Sequence, residues 1–229
     1  MTVATTSLVA QSSGPLIDWG WIGSHVDDMW QATVEHAVLT AIAVIVGFVL
    51  SMVLSLIAIR WRRTYTPITW ATGILYTIPS LALFTFLVPI WGLSMTTAQV
   101  ALVSYTLLIL VRNIVAGIDG VPPDVLEASR GMGMTSRQAF MNVQLPLALP
   151  AIFAGVRIAV VTTIGLVTVT VLIGQGGYGV FILRGIRRAF LTEALVGTVL
   201  SVLMAVVVDA ALVGLERRTT PWSRSKAAT

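Results

Sequence analysis

Asp209 lies well inside a long apolar run of this 229-residue chain, and Arg157 and Arg112 lie at comparable depth in two other runs. A charge in hydrocarbon costs about 2.5–3.5 kcal/mol on insertion scales, so such groups need partners. Two readings are open for the three residues: a gate or proton relay, or a structural ion pair, and the ion pair is favoured. Glu35 and His36 supply two metal-capable groups with no third nearby in sequence, so they read as a cap at a helix start rather than a metal site. His25 stands alone. The segment Gly174–Gly179, GQGGYG, has the glycines of a phosphate loop but lacks its lysine. It reads as a flexible turn into a short helix bearing Arg184, Arg187 and Arg188, which could meet lipid headgroups or an acidic partner surface. No catalytic cluster and no cofactor site emerges.

These residues must be positioned by elements suited to lipid. The chain is 56% hydrophobic and 10% charged, with a mean hydropathy of +0.91. A soluble domain of this size needs more charge to cover its surface, so the bilayer is the expected solvent. About 20 apolar helical residues span it, and five segments qualify: 36–59, 67–91, 97–118, 147–173 and 192–215. Runs such as Ile164–Gly174 have strand-like composition, but an isolated strand in lipid leaves its backbone unpaired, so helix wins. The fold class expected is all-α, a polytopic membrane protein with five transmembrane helices. Pro79 falls inside the second span. With Tyr76, Thr77 and Ser80 it makes a kinked polar patch that either lines a pathway or serves packing.

The first 33 residues hold no Lys or Arg, so the N-terminus reads as retained rather than cleaved. Ile22, Val26, Met29 and Trp30 at helical spacing, with Asp27 and Asp28 on another face, predict a short helix on the membrane surface. The Thr/Ser-rich start up to about Gly14 reads as a disordered tail. Arg60, Arg62 and Arg63 follow the first span, Arg130 and Arg137 the third, and Arg217, Arg218, Arg224 and Lys226 the fifth. The positive-inside rule then puts the N-terminus outside and the C-terminus in the cytoplasm, with Arg184, Arg187 and Arg188 dissenting. The expected division is an extracytoplasmic segment 1–33, a membrane domain 34–216 and a cytoplasmic tail 217–229. Cysteine is absent, which excludes disulfides and thiolate metal sites. No basic groove interleaved with aromatics suggests nucleic acid.

Between the third and fourth spans lies a polar loop, 120–146, ending in Glu127–Pro146 (EASRGMGMTSRQAFMNVQLP). Pro122 and Pro123 suit a first helical turn, and Asp124 and Glu127 complement its positive end. Gly131 and Gly133 permit a sharp turn. Thr135-x-x-Gln138 is a capping-box pattern starting a second helix through Phe140, and Leu145-Pro146 and Leu149-Pro150 bend the chain back to the bilayer. Val125, Leu126, Met132, Met134 and Phe140 are then free as apolar contacts, either for another protein or for this chain's own helix ends.

The loop resembles the cytoplasmic EAA loop of ABC-importer permeases. Glu127, Ala128, Gly133, Leu145 and Pro146 fall on that pattern in register, while Ser129 and Val143 replace an Ala and an Ile. Thr77–Leu83, Tyr105–Asn113, Gly117–Glu127 and Ile173–Gly179 resemble osmoprotectant importers for glycine betaine, choline, carnitine and proline betaine. This likeness covers about residues 34–216. Methionine-importer permeases share the plan but match these segments less well. The resemblance implies a type I ABC-importer permease fold in the cell membrane, with two P-loop ATPase subunits, a second permease and an extracytoplasmic binding protein as partners. It makes Val125, Leu126, Glu127, Ala128, Ser129, Gly131, Met132, Gly133, Met134, Leu145 and Pro146 the ATPase-facing residues. The chain has no P-loop of its own, since its sole lysine, Lys226, lacks the glycine frame.

Two rival classes are weaker. An ion-coupled secondary transporter needs several intramembrane carboxylates or repeated halves. An intramembrane enzyme needs clustered catalytic groups.

Overall fold

The computed structural model describes residues 17–222, which form helices joined by short turns, with no strand among them. A capped turn, α1 (Trp19–Ser24), precedes the long α2 (Val26–Arg60). Then come α3 (Tyr65–Thr77), α4 (Ser80–Trp91) and α5 (Met95–Asp119). The loop contributes α6 (Pro123–Gly131) and α7 (Ser136–Ala139), followed by α8 (Leu145–Val167), α9 (Gly179–Arg187) and α10 (Leu191–Thr219). The segment up to about Gly14, Arg224 and Lys226 lie outside the described residues.

The central helix is α5, which packs on α2, α3, α4 and α8. Bilayer helices gain little from hiding apolar surface from lipid, so close backbone approach through small residues takes over. On α2 the buried face runs Ala32, His36, Thr40, Ala43, Gly47, Ser51, Ser55 and Ala58. At Gly47 the two helices are so near that an added Cβ would collide with the Thr106 hydroxyl. Phe84, Leu102, Tyr105 and Val167 fill one part of the core, and Ile114, Ile118 and Ile152 another.

Among the described residues four helices are long and apolar enough to cross a membrane, and a further candidate span is a broken pair. The expected single segment 67–91 is two helices of 13 and 12 residues, each too short to cross alone. They meet at 96°. Pro79 causes the break: it has no N–H and drives Ile78 out of the helical region, to ψ 126°. The Ile78 carbonyl, left without a helical partner, accepts from the Tyr105 hydroxyl at 2.6 Å.

Two further expectations change. The surface helix through Ile22 and Trp30 is not one element. His25, held by a ring nitrogen 2.8 Å from the Trp21 carbonyl, separates α1 from α2, and Val26, Met29 and Trp30 belong to the long helix. The prolines after the loop do not turn the chain back either. A widened π turn, Phe140–Gln144, feeds directly into α8, so helical structure continues from Ser136 to Ile173.

Candidate functional site

At one end of the bundle the connection between α5 and α8 makes a compact knob. Pro123 opens α6 with Asp124 in its first turn. The helix stops where the Met134 N–H donates to the Ser129 carbonyl at 3.2 Å and the Gly133 N–H to the Arg130 carbonyl at 2.9 Å. Gly133 has φ +80°, a left-handed conformation that costs a side-chain-bearing residue about 1–2 kcal/mol. Thr135 and Gln138 exchange both bonds of the capping box, at 3.3 and 2.8 Å. The Gln144 amide donates to the Ile118 carbonyl at 3.1 Å, tying the returning arm of the loop to the end of α5.

This knob divides the expected contact residues into two groups. Val125, Glu127, Ala128, Gly131, Met132 and Gly133 face outward, with Met132 70% exposed. Ser129 is buried and its hydroxyl donates back to the Leu126 carbonyl at 2.7 Å. Leu126, Met134, Leu145 and Pro146 are half-buried. Phe140 and Leu145 pack on the chain's own core near Ile114 and Ile118.

The intramembrane charges also resolve. Arg157 on α8 grips Asp209 on α10 with two parallel bonds of 2.7 and 2.9 Å, and its other nitrogen lies 3.7 Å from Glu216. Such forked geometry is the strongest an arginine–carboxylate pair attains. Arg112 takes no part in this pair and is exposed on α5. Glu216 was missed although it stands seven residues after Asp209, hence on the same helix face. Arg62 pairs with Asp119, closing the α2–α5 contact beside the knob. Near the break, Tyr76, Thr77 and Pro79 are exposed and Ser80 is half-buried, with the Tyr76 ring 6.1 Å from that of Tyr105.

At the opposite end, Glu35 and His36 do not cap a helix. Glu35 accepts from the Gly177 N–H at 3.0 Å, and His36 Nδ1 accepts from the Tyr178 N–H at 3.3 Å. His36 Nε2 reaches the Ile164 carbonyl at 3.0 Å. The GQGGYG turn is therefore pinned rather than free.

Comparison with known proteins identifies the family and the fold. Residues 43–221 match the family described as binding-protein-dependent transport system inner membrane component. The chain is 37% identical to the osmoprotectant import permease protein OsmW of Salmonella typhimurium, over 82% of this chain and 90% of that one. It is 36% identical to the choline transport system permease protein OpuBB of Bacillus subtilis, over 82% and 87% of the two chains. It is 34% identical, over the same shares, to the glycine betaine/carnitine/choline transport system permease protein OpuCB of that organism. Among solved structures, an inward-facing form of the MetNI methionine ABC transporter superposes with TM-score 0.74 at 21% identity, covering 86% of this chain and 98% of that one. An amino acid ABC transporter crystallised with histidines gives 0.73 at 19%, covering 88% and 99%. The all-α fold is that of the type I ABC-importer permeases, and the chain belongs to the binding-protein-dependent transport system inner membrane components, as a multi-pass permease subunit of an ABC transporter.

Proposed function

We propose that this chain forms the solute path of an ATP-driven importer for quaternary-ammonium osmoprotectants such as glycine betaine, and that its Glu127–Pro146 loop receives the motor. The observation that carries the reading is the exposed face of the knob. Val125, Glu127, Ala128 and Met132 project from a stem held by a capping box and by Gly133, an exposed surface of apolar side chains around one carboxylate that fits a protein partner. The partner is a P-loop ATPase, since the chain has no phosphate-binding frame. Two ATPases, a second permease and an extracytoplasmic binding protein complete the assembly. The arginine distribution favours an N-terminus outside and a cytoplasmic C-terminus, with residues 1–33 and 217–229 flanking the membrane domain. Tyr76, Thr77, Pro79 and Ser80, at the broken span, are assigned to the path: backbone unwound at membrane depth is tolerated where it lines a cavity or is covered by protein. Arg157 and Asp209 are assigned to holding α8 against α10. The substrate class follows from the relatives, three of which carry osmoprotectant, choline or glycine betaine transport in their names. The test is reconstitution of the chain with its ATPase and binding protein in liposomes. ATP-dependent glycine betaine uptake is expected; uptake of methionine in its place would contradict the substrate assignment.

A further inference from the structure

We propose that a groove along α9, at the end of the bundle remote from the Glu127–Pro146 loop, binds an anionic phospholipid. Arg187 takes its phosphate, and Leu183 and Leu172 take an acyl chain. The site goes beyond the transport reading and needs no part of it.

Val180, Leu183, Arg184 and Arg187 of α9 line this groove, and Val171 and Leu172, just before the glycine turn, form its other wall. Its volume is about 310 Å³. Positions 180, 183, 184 and 187 are three, four and seven residues apart, so α9 presents them as one stripe. Along that stripe the chemistry changes once, from apolar at Val180 and Leu183 to basic at Arg184 and Arg187. A phospholipid standing in a leaflet has the same order, chain and then phosphate.

The basic end of the stripe lies at the membrane boundary. A Cβ on Gly185 would collide with Ala194, and one on Gly197 with Tyr178 and Phe181, so α9 and α10 run antiparallel in close contact. Residues 188–190 join them. From that turn α10 continues for 29 residues, long and apolar enough to cross the bilayer. Arg187 therefore stands where the span begins, with Leu183 one helical turn deeper and Val180 two. The Trp21 ring, edge-on to Phe190 at 5.5 Å, lies at the same level, as tryptophans do at membrane–water boundaries.

The charge offered to a headgroup is not already paired. Arg184 is: it lies 3.0 Å from the buried Glu193 and over the Phe181 ring, and its other side meets the cavity lined by Asp28 and Glu35. It serves as a fixed wall. Arg187 and Arg188 are exposed and form no ion pair among the described residues. Residues 1–16 and 223–229 hold no Asp or Glu that could supply one. A guanidinium fork matches two phosphate oxygens with parallel bonds. Two uncompensated arginines also favour a headgroup with net negative charge over a zwitterionic one.

The surroundings favour an amphiphile over an acidic protein surface. Leu172 is 44% exposed and Ile186, between the arginines, 66%. Apolar side chains interleaved with arginines at a bilayer boundary are the pattern of a helix that meets acyl chains and headgroups together. Arg184, Arg187 and Arg188 are also the arginines that dissent from the distribution of the rest, and a bound anion gives them a reason to stand at this end.

The test places the permease–ATPase complex in phosphatidylcholine nanodiscs doped with phosphatidylglycerol that carries a photoreactive group on its acyl chain. Cross-linked peptides are mapped by mass spectrometry. Labelling of the 171–187 segment is expected, and unlabelled phosphatidylglycerol should compete it away in the unsubstituted protein. Arg187→Gln should reduce it about fivefold, the share of one arginine beside an anionic headgroup, with an unchanged thermal midpoint. Arg187→Lys should largely restore it. Equal labelling by a photoreactive phosphatidylcholine, or labelling untouched by Arg187→Gln, would overturn the proposal. So would an Arg187→Gln complex that labels normally but whose ATP hydrolysis no longer responds to the binding protein, since the arginine would then meet a protein surface.

Discussion

A single hydroxyl accounts for how the broken span is tolerated. Pro79 leaves the Ile78 carbonyl without a helical donor, and Tyr105 supplies one from α5 at 2.6 Å. Tyr105→Phe keeps the ring in the core and removes only that donor. We expect a loss of about 1 kcal/mol, the ordinary cost of a half-buried unpaired carbonyl, read as a lower thermal midpoint in detergent. An unchanged midpoint would mean that water replaces the hydroxyl. The Arg157–Asp209 fork makes a second case. Asp209→Asn removes the charge opposite Arg157 and leaves it only the more distant Glu216. A structural role predicts less folded chain but normal uptake per assembled complex; normal assembly with abolished uptake would instead mark a gate. The sequence pointed to Asp209 and Arg157 because charges in apolar runs are conspicuous. It gave no reason to discard Arg112, because depth along a helix does not tell which side chains meet, and only the folded chain pairs Arg157 with Asp209 and leaves Arg112 exposed.

Among the elements, α2 and α5 approach through small residues, with Gly47 at the tightest point. Gly47→Ala should press on Thr106 and cost about 1–3 kcal/mol, the usual price of overpacking. Pairing it with Thr106→Ala should recover part of the loss, since the colliding hydroxyl goes. If the two substitutions merely add, the helices adjust elsewhere. The five apolar segments were legible because hydrocarbon thickness dictates their length, and the capping box because its residues are local. The 96° break was readable only as a kink at Pro79: the freed Ile78 carbonyl finds its donor in Tyr105, 27 residues further on. The continuous run from α7 into α8 was hidden for a related reason. Pro146 and Pro150 look like breakers, but the π turn just before Pro146 widens the helix there, and the chain stays helical through both. The Glu35–Gly177 and His36–Tyr178 bonds join residues 142 positions apart, and no spacing rule reaches that far.

In the whole molecule the two ends of the bundle have different chemistry. One carries the knob between α5 and α8, steadied by the Arg62–Asp119 pair and the Gln144–Ile118 bond. The other carries the pinned glycine turn and the arginine-bearing groove of α9. In the proposed coupling, force enters at the first of these ends. The decisive residue is Met132, because it is 70% exposed on the knob and its loss disturbs no packing within this chain. Met132→Asp should leave the permease folded, with an unchanged thermal midpoint. The central measurement is the binding of this variant to the ATPase subunit, followed by substrate-stimulated ATP hydrolysis in liposomes. Loss of ATPase binding by at least about tenfold, as expected for an apolar anchor at the centre of an interface, with hydrolysis no longer responding to substrate, is the result predicted. Full binding with normal stimulation would contradict the assignment of Glu127–Pro146 as the place where the motor docks.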